Sequence, residues 1–110
     1  MIVVYILRKE IHYYDSMNGF SNGRLDHIKR WLQEESKTKW NNEYNVDDWK
    51  LIDRESNVPQ QHNGYDCGMF SLLYADFLSD DIPLGNFQQA EILSYRKKVC
   101  ASILRGKLNF

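Results

Sequence analysis

The sequence predicts an α+β fold in which a small sheet comes first and helices follow. Three observations carry this. β-branched and aromatic residues are concentrated in the first 14 positions, helical apolar spacing takes over from about Asn22, and no strand–helix alternation recurs of the kind that builds a doubly wound sheet. With 110 residues, 43% hydrophobic and 14% aromatic, the chain suits one domain with a core and is too apolar for a disordered segment.

Met1 to Leu7 is an apolar run (Ile2, Val3, Val4, Ile6) that reads as a strand buried on both faces. Arg8-Lys9-Glu10 makes a charged turn, and Ile11 to Tyr14 resumes a strand, so the pair is a hairpin. A chain that begins inside a central strand needs flanking partners, which is a first hint of truncation. Asp15-Ser16-Met17-Asn18-Gly19 is turn chemistry. A helix is expected from about Asn22, capped by that residue, with Leu25, Ile28 and Leu32 inward and Arg24, Lys29, Arg30, Gln33 and Glu34 wet. Ser36 to Asp48 reads as a polar surface loop and Trp49 to Ile52 as a short strand. Asn57 to Gly64 is an amide-rich loop with Pro59 restricting it, and Asp66 stands where an N-cap belongs. Met69, Phe70, Leu72, Leu73, Tyr74, Phe77 and Leu78 make the next helix apolar nearly all round, and Pro83 stops it. A last helix from about Phe87 to Arg105 places Ile92, Tyr95, Val99 and Ile103 on one stripe, with Leu93, Cys100 and Leu104 alongside and Gly106 as its stop.

Fourteen basic and fifteen acidic residues nearly cancel, so no global field draws the chain to nucleic acid or anionic lipid. A membrane-spanning helix needs about twenty apolar residues, and no such run exists. The apolar start lacks a preceding positive region and a following cleavage site, so the chain reads as soluble and intracellular. The two cysteines, Cys67 and Cys100, fit no zinc or CxxC spacing. One disulfide is arithmetically available, but reduced thiols are expected in such a compartment.

The chemistry is concentrated in Pro59-Gln60-Gln61-His62-Asn63-Gly64-Tyr65-Asp66-Cys67-Gly68-Met69-Phe70. It puts a thiol on the first turn of a helix, where unpaired N–H groups and the helix dipole favour a thiolate. Gly68 leaves room for a substrate backbone. Gln61 can offer its side-chain NH₂ to a carbonyl oxygen becoming an oxyanion. Asp66 opposes this, because its charge beside the thiol disfavours ionisation unless it is committed to capping. The bland alternative is an inert core thiol. That fits Cys100 on its buried stripe better than Cys67 at a loop-to-helix junction.

This stretch resembles the active-site segment of the sentrin/SUMO-specific proteases, whose pattern is close to PQQ-x-NG-x-DCGMF. Tyr13-Tyr14-Asp15-Ser16-Met17 is similar to the family's Y-L-D-S-M, and Leu32-Gln33-Glu34-Glu35-Ser36-Lys37-Thr38-Lys39 to its L-x-D/E-E-S-K-x-K. Tyr74-Ala75-Asp76 matches its Y-A-D, and Tyr95-Arg96-Lys97-Lys98 its F/Y-R-K-K/R. The resemblance runs in order over essentially the whole chain, which is therefore expected to be one ubiquitin-like-protease catalytic domain, 1–110, truncated on its N-terminal side. It implies a papain-like cysteine proteinase fold, here partial, that hydrolyses after the C-terminal Gly-Gly of SUMO or another ubiquitin-like protein. It also implies Cys67 as nucleophile, Gln61 in the oxyanion hole, Asp15 orienting a histidine, no cofactor or metal, and residence in the nucleus and/or cytoplasm. From spacing alone, Asp15 is a turn former at a strand end.

The family's histidine opens the strand before Asp15, in an H-W pair that would fall just before Met1. Of the three histidines present, His12 is expected on the face opposite Asp15 and partly exposed, His27 on the wet side of the first helix, and His62, the closest candidate base, at the variable position of the motif. Loss of one triad member costs about three to six powers of ten in turnover, so this chain is expected to be nearly inactive. The rivals are a non-catalytic ubiquitin-like-protein-binding module and an inert fragment.

Overall fold

The computed structural model describes residues 1–55 and 57–107. They fall into two compact units, Met1–Ser56 and Asn57–Phe110.

The first unit is a three-stranded sheet with one helix. Strands β1 (Ile2–Tyr5) and β2 (Glu10–Tyr13) form the expected hairpin, in register Ile2↔Tyr13 to Tyr5↔Glu10. Strand β3 (Lys50–Ile52) adds parallel to β2, so the order is β1-β2-β3 and β2 is central. This corrects the reading of the first strand. All four β1 residues are only half-buried, and the turn residues Ile6 (43% exposed) and Leu7 (98%) lie outside it. β1 is an edge of this sheet.

Period-2 alternation divides the sheet. Ile11, fully buried, packs with Leu25, Leu32, Val46 and Trp49, while Ile2, Val4 and Tyr13 border the same cluster. The opposite face carries Tyr5, Glu10, His12 and Tyr14, bonded to one another (Tyr5 Oη to Tyr14 Oη, 2.7 Å; His12 Nε2 to Glu10 Oε2, 2.6 Å). His12 is buried, not partly exposed, and its Nδ1 pairs with Glu55. The ring lies between two carboxylates, and it meets Tyr5 edge-on at 4.6 Å between centroids.

Helix α1 (Arg24–Lys39) connects β2 to β3. Gly23, in the left-handed conformation at φ 82°, is its N-cap, and no side chain caps it. Asn22 is itself left-handed at φ 53° and belongs to the preceding turn. Leu25, Leu32 and Ser36 face inward, whereas Trp31 is 53% exposed. The helix extends past Ser36 because that serine is fully buried and bonded on both sides: Oγ donates to Gln33 O (2.8 Å) and accepts the Tyr44 N–H (2.9 Å). The following loop is less wet than its composition suggested, since Val46 and Trp49 join the core.

The second unit is helical. Helix α2 (Cys67–Ser79) buries Met69, Phe70, Leu73, Tyr74 and Phe77 on one face. Leu72 stays 55% exposed, so the helix is covered on one side and not all round. After Pro83, two single 3₁₀ turns (Leu84–Asn86 and Gln89–Glu91) precede helix α3 (Ile92–Arg105), which therefore starts later than expected. Between the turns Phe87 is fully buried, with ring centroids 5.0 Å from Phe77, 5.8 Å from Phe70 and 6.0 Å from Tyr74. Extended backbone at Phe87 (φ −135°, ψ 156°) drives this ring inward and interrupts the helix. The inward positions of α3 are Ile92, Tyr95, Val99 and Ser102. Cys100 and Ile103 each lie one residue, about 100°, beyond that line, which is why both are exposed and the buried-stripe reading of Cys100 fails. Gly106 ends the helix in the left-handed conformation, φ 71°. No helix among the described residues is long and apolar enough to cross a membrane.

Candidate active site

Cys67 is the first residue of α2, is exposed and carries a free thiol. Its location follows from how the preceding loop is held. Tyr74, on the buried face of α2, donates its hydroxyl to Pro59 O at 2.5 Å. The His62 N–H donates to Gln89 Oε1 at 2.8 Å. Asn63 Oδ1 accepts the N–H groups of Tyr65 (3.1 Å) and Asp66 (3.0 Å), folding the chain into α2 through an Asx-type turn. Gln61 Nε2 donates to Asn63 O at 2.6 Å, which orients an NH₂ group that has two N–H bonds.

Asp66 occupies the N-cap position without capping through its side chain. Its buried carboxylate is taken instead by partners from distant sequence. Oδ1 accepts Arg96 Nε (3.2 Å) and Arg96 Nη2, and Oδ2 accepts Asn63 Nδ2 (2.7 Å) and Gln89 Nε2 (3.0 Å). Four donors on two oxygens account for the lone-pair sites of a carboxylate. The Arg96 guanidinium first, then the Asn63 and Gln89 amides, hold its carboxyl down at about 2. The charge that sequence placed against the thiol is therefore committed, though to an arginine and not to capping. Arg96 was visible in the Tyr95-Arg96-Lys97-Lys98 match, but its role was not, because no local pattern links residues 66 and 96.

Asp15 belongs to the other compact unit, just after β2. Its turn-forming role is realised: Oδ1 accepts the Met17 N–H at 2.8 Å, and Oδ2 accepts the Gly19 N–H (3.2 Å) and the Tyr13 hydroxyl (3.3 Å). Gly19 lets this carboxylate sit close, since a Cβ would stand 2.5 Å from Asp15 Oδ2 and push that side chain aside. Gln61 and Cys67 thus share one loop-to-helix segment, and Asp15 is an oriented, half-buried carboxylate in the first unit. His27 and His62 are exposed. Among the described residues, no group of histidines, cysteines and carboxylates has a metal-binding arrangement.

Residues 1–107 match the model of the Ulp1 protease family, C-terminal catalytic domain. Human sentrin-specific protease 2 is 37% identical over 109 residues, 98% of this chain and 18% of that protein. The ubiquitin-like-specific protease ESD4 of Arabidopsis thaliana is 36% identical over 93 residues, 84% of this chain and 19% of that protein. Among solved structures, the X-ray structure of the C-terminal Ulp1 protease domain in complex with Smt3, the yeast ortholog of SUMO, superposes with a TM-score of 0.80 at 29% identity. That match covers 98% of this chain and 47% of the solved one. The chain thus spans under a fifth of these curated relatives and about half of the solved domain. Its fold is a partial α+β domain of the papain-like class, as expected from sequence. The chain belongs to the Ulp1, or SUMO-specific, cysteine protease family.

Proposed function

We propose that this chain is the nucleophile-bearing part of a ubiquitin-like-protease catalytic domain, residues 1–110, that hydrolyses the bond after the C-terminal Gly-Gly of SUMO or another ubiquitin-like protein. Its partners are that modifier and its conjugates or precursors, in the nucleus and/or cytoplasm. The observation that carries the reading is an exposed thiol on the first residue of α2, after a loop that holds Gln61 in a defined orientation.

In the complete reaction the Cys67 thiolate attacks the glycine carbonyl and the Gln61 amide donates to the oxyanion. An imidazolium oriented by Asp15 protonates the departing amine as the thioester forms. Water then cleaves the thioester, returning the thiol and releasing the modifier's carboxylate.

His12 is no substitute for that imidazole, because both its ring nitrogens are engaged by Glu10 and Glu55. The chain by itself is therefore expected to turn over substrate about three to six powers of ten below a complete triad. The same observation favours a second reading, a module that binds a ubiquitin-like protein without cleaving it.

A SUMO protein ending in a thiol-reactive electrophile separates the two. Covalent capture that disappears in Cys67→Ser, and slows by about 10²-fold in Gln61→Ala, supports the peptidase. Saturable binding with no covalent adduct supports the binding module and counts against the nucleophile.

A further inference from the structure

The contacts around Asp66 reach beyond loop architecture. We propose that Arg96 and Gln89 are positioning residues for the nucleophile: they lock Asp66 and the 61–66 loop, and Arg96 cancels the carboxylate charge adjoining Cys67. The inference rests on Cys67 being the nucleophile.

Its geometry is specific. Arg96 gives two nitrogens to one oxygen of Asp66, while Gln89 spans two points of the loop, donating to Asp66 Oδ2 at 3.0 Å and accepting the His62 N–H at 2.8 Å. Asn63 closes the circuit, since it bonds Asp66 through its side chain and receives the Gln61 amide on its carbonyl. One end of α3 and the turn before it thus grip two residues, His62 and Asp66, that lie between the oxyanion donor and the thiol. The Asp66 side chain is only 6% exposed, so water screens it weakly, whereas Arg96 at 44% reaches it from the surface. Without Arg96, an uncompensated negative charge would stand one residue from a sulfur that must itself become negative. The amides of Asn63 and Gln89 can hold that carboxylate in place, but only the guanidinium carries an opposing charge.

The test is the pH–rate profile for alkylation of Cys67 by iodoacetamide, with exposed Cys100 replaced by serine in every variant and folding followed by circular dichroism. The small neutral reagent needs neither a modifier nor a histidine. Failure of the peptidase reading in the SUMO-electrophile experiment would therefore leave this measurement decisive for Arg96. Arg96→Ala is expected to move the profile about one pH unit upward, roughly a tenfold loss of rate at pH 7. Arg96→Lys, which keeps the charge, should stay within about threefold of the parent. Asp66→Asn combined with Arg96→Ala should restore the rate lost by the single variant. A purely structural role predicts that the double variant is at least as impaired as Arg96→Ala. That result, or a folded Arg96→Ala with an unmoved profile, or Arg96→Lys as slow as Arg96→Ala, would overturn the proposal. Should Arg96→Ala fail to fold, the comparison is with the parent: a folded double variant and Arg96→Lys both within about threefold of its rate support the proposal, and a roughly tenfold loss in either overturns it.

Discussion

Two charged side-chain clusters show how this chain places titratable groups where they are constrained. Asp66 is held at about 2, below its ordinary 3.8, chiefly by Arg96. A carboxyl depressed by folding stabilises the native state above its unfolded value and loses that contribution as pH falls through the folded one. The Asp66 contribution is thus complete above about pH 4 and is lost on acidification towards pH 2. Asp66→Asn should flatten the acid limb of a stability–pH curve across that window, and a limb of unchanged steepness would show that other carboxylates govern it. In the other unit, the hydrogen bond from His12 is the largest influence lowering the Glu10 carboxyl. Replacing His12 by leucine removes the ring nitrogens that bond Glu10 and Glu55 and leaves two carboxylates on that side of the sheet without them. Thermal unfolding should shift to lower temperature, and adding Glu10→Gln should recover part of the loss. No recovery would mean that ring packing against Tyr5 matters more than charge.

At the scale of elements, the legible features were those set by local backbone chemistry. The hairpin, the Asp15 turn, the loop ending at Asp66 and the Gly106 stop all follow from residues that prefer those conformations. What packing decides was harder to read. Phe87 looked like the start of a helix but is an extended residue driven into an aromatic cluster, and Cys100 looked buried because its neighbours are apolar. Trp49 and Val46 lie in a polar stretch yet complete the first core, since the loop folds back onto Ser36 and the sheet. The contrast between Phe87 and Leu104 is measurable. Phe87→Ala should cost about 3–5 kcal/mol by emptying a fully enclosed site. Leu104→Ser, at 82% exposure, should stay within about 0.5 kcal/mol of the parent. Equal losses in denaturant unfolding would contradict the enclosed site of Phe87 and the outward position of Leu104 on α3.

For the whole molecule, the candidate site divides into a part that sequence specified and a part that only the fold supplies. Cys67, Gln61 and Asp15 could be named as candidates because contiguous motifs carry them. The Arg96–Asp66–Gln89 contacts were not, because they join residues 30 and 23 positions apart. With a formal charge of −1, the chain carries no strong net field. The most direct measurement is the attachment site of a SUMO C-terminal electrophile, mapped by peptide mass spectrometry on the folded chain at neutral pH. Modification confined to Cys67 is the expected result. Modification at Cys100 alone, or at neither cysteine, would contradict a nucleophile at the start of α2.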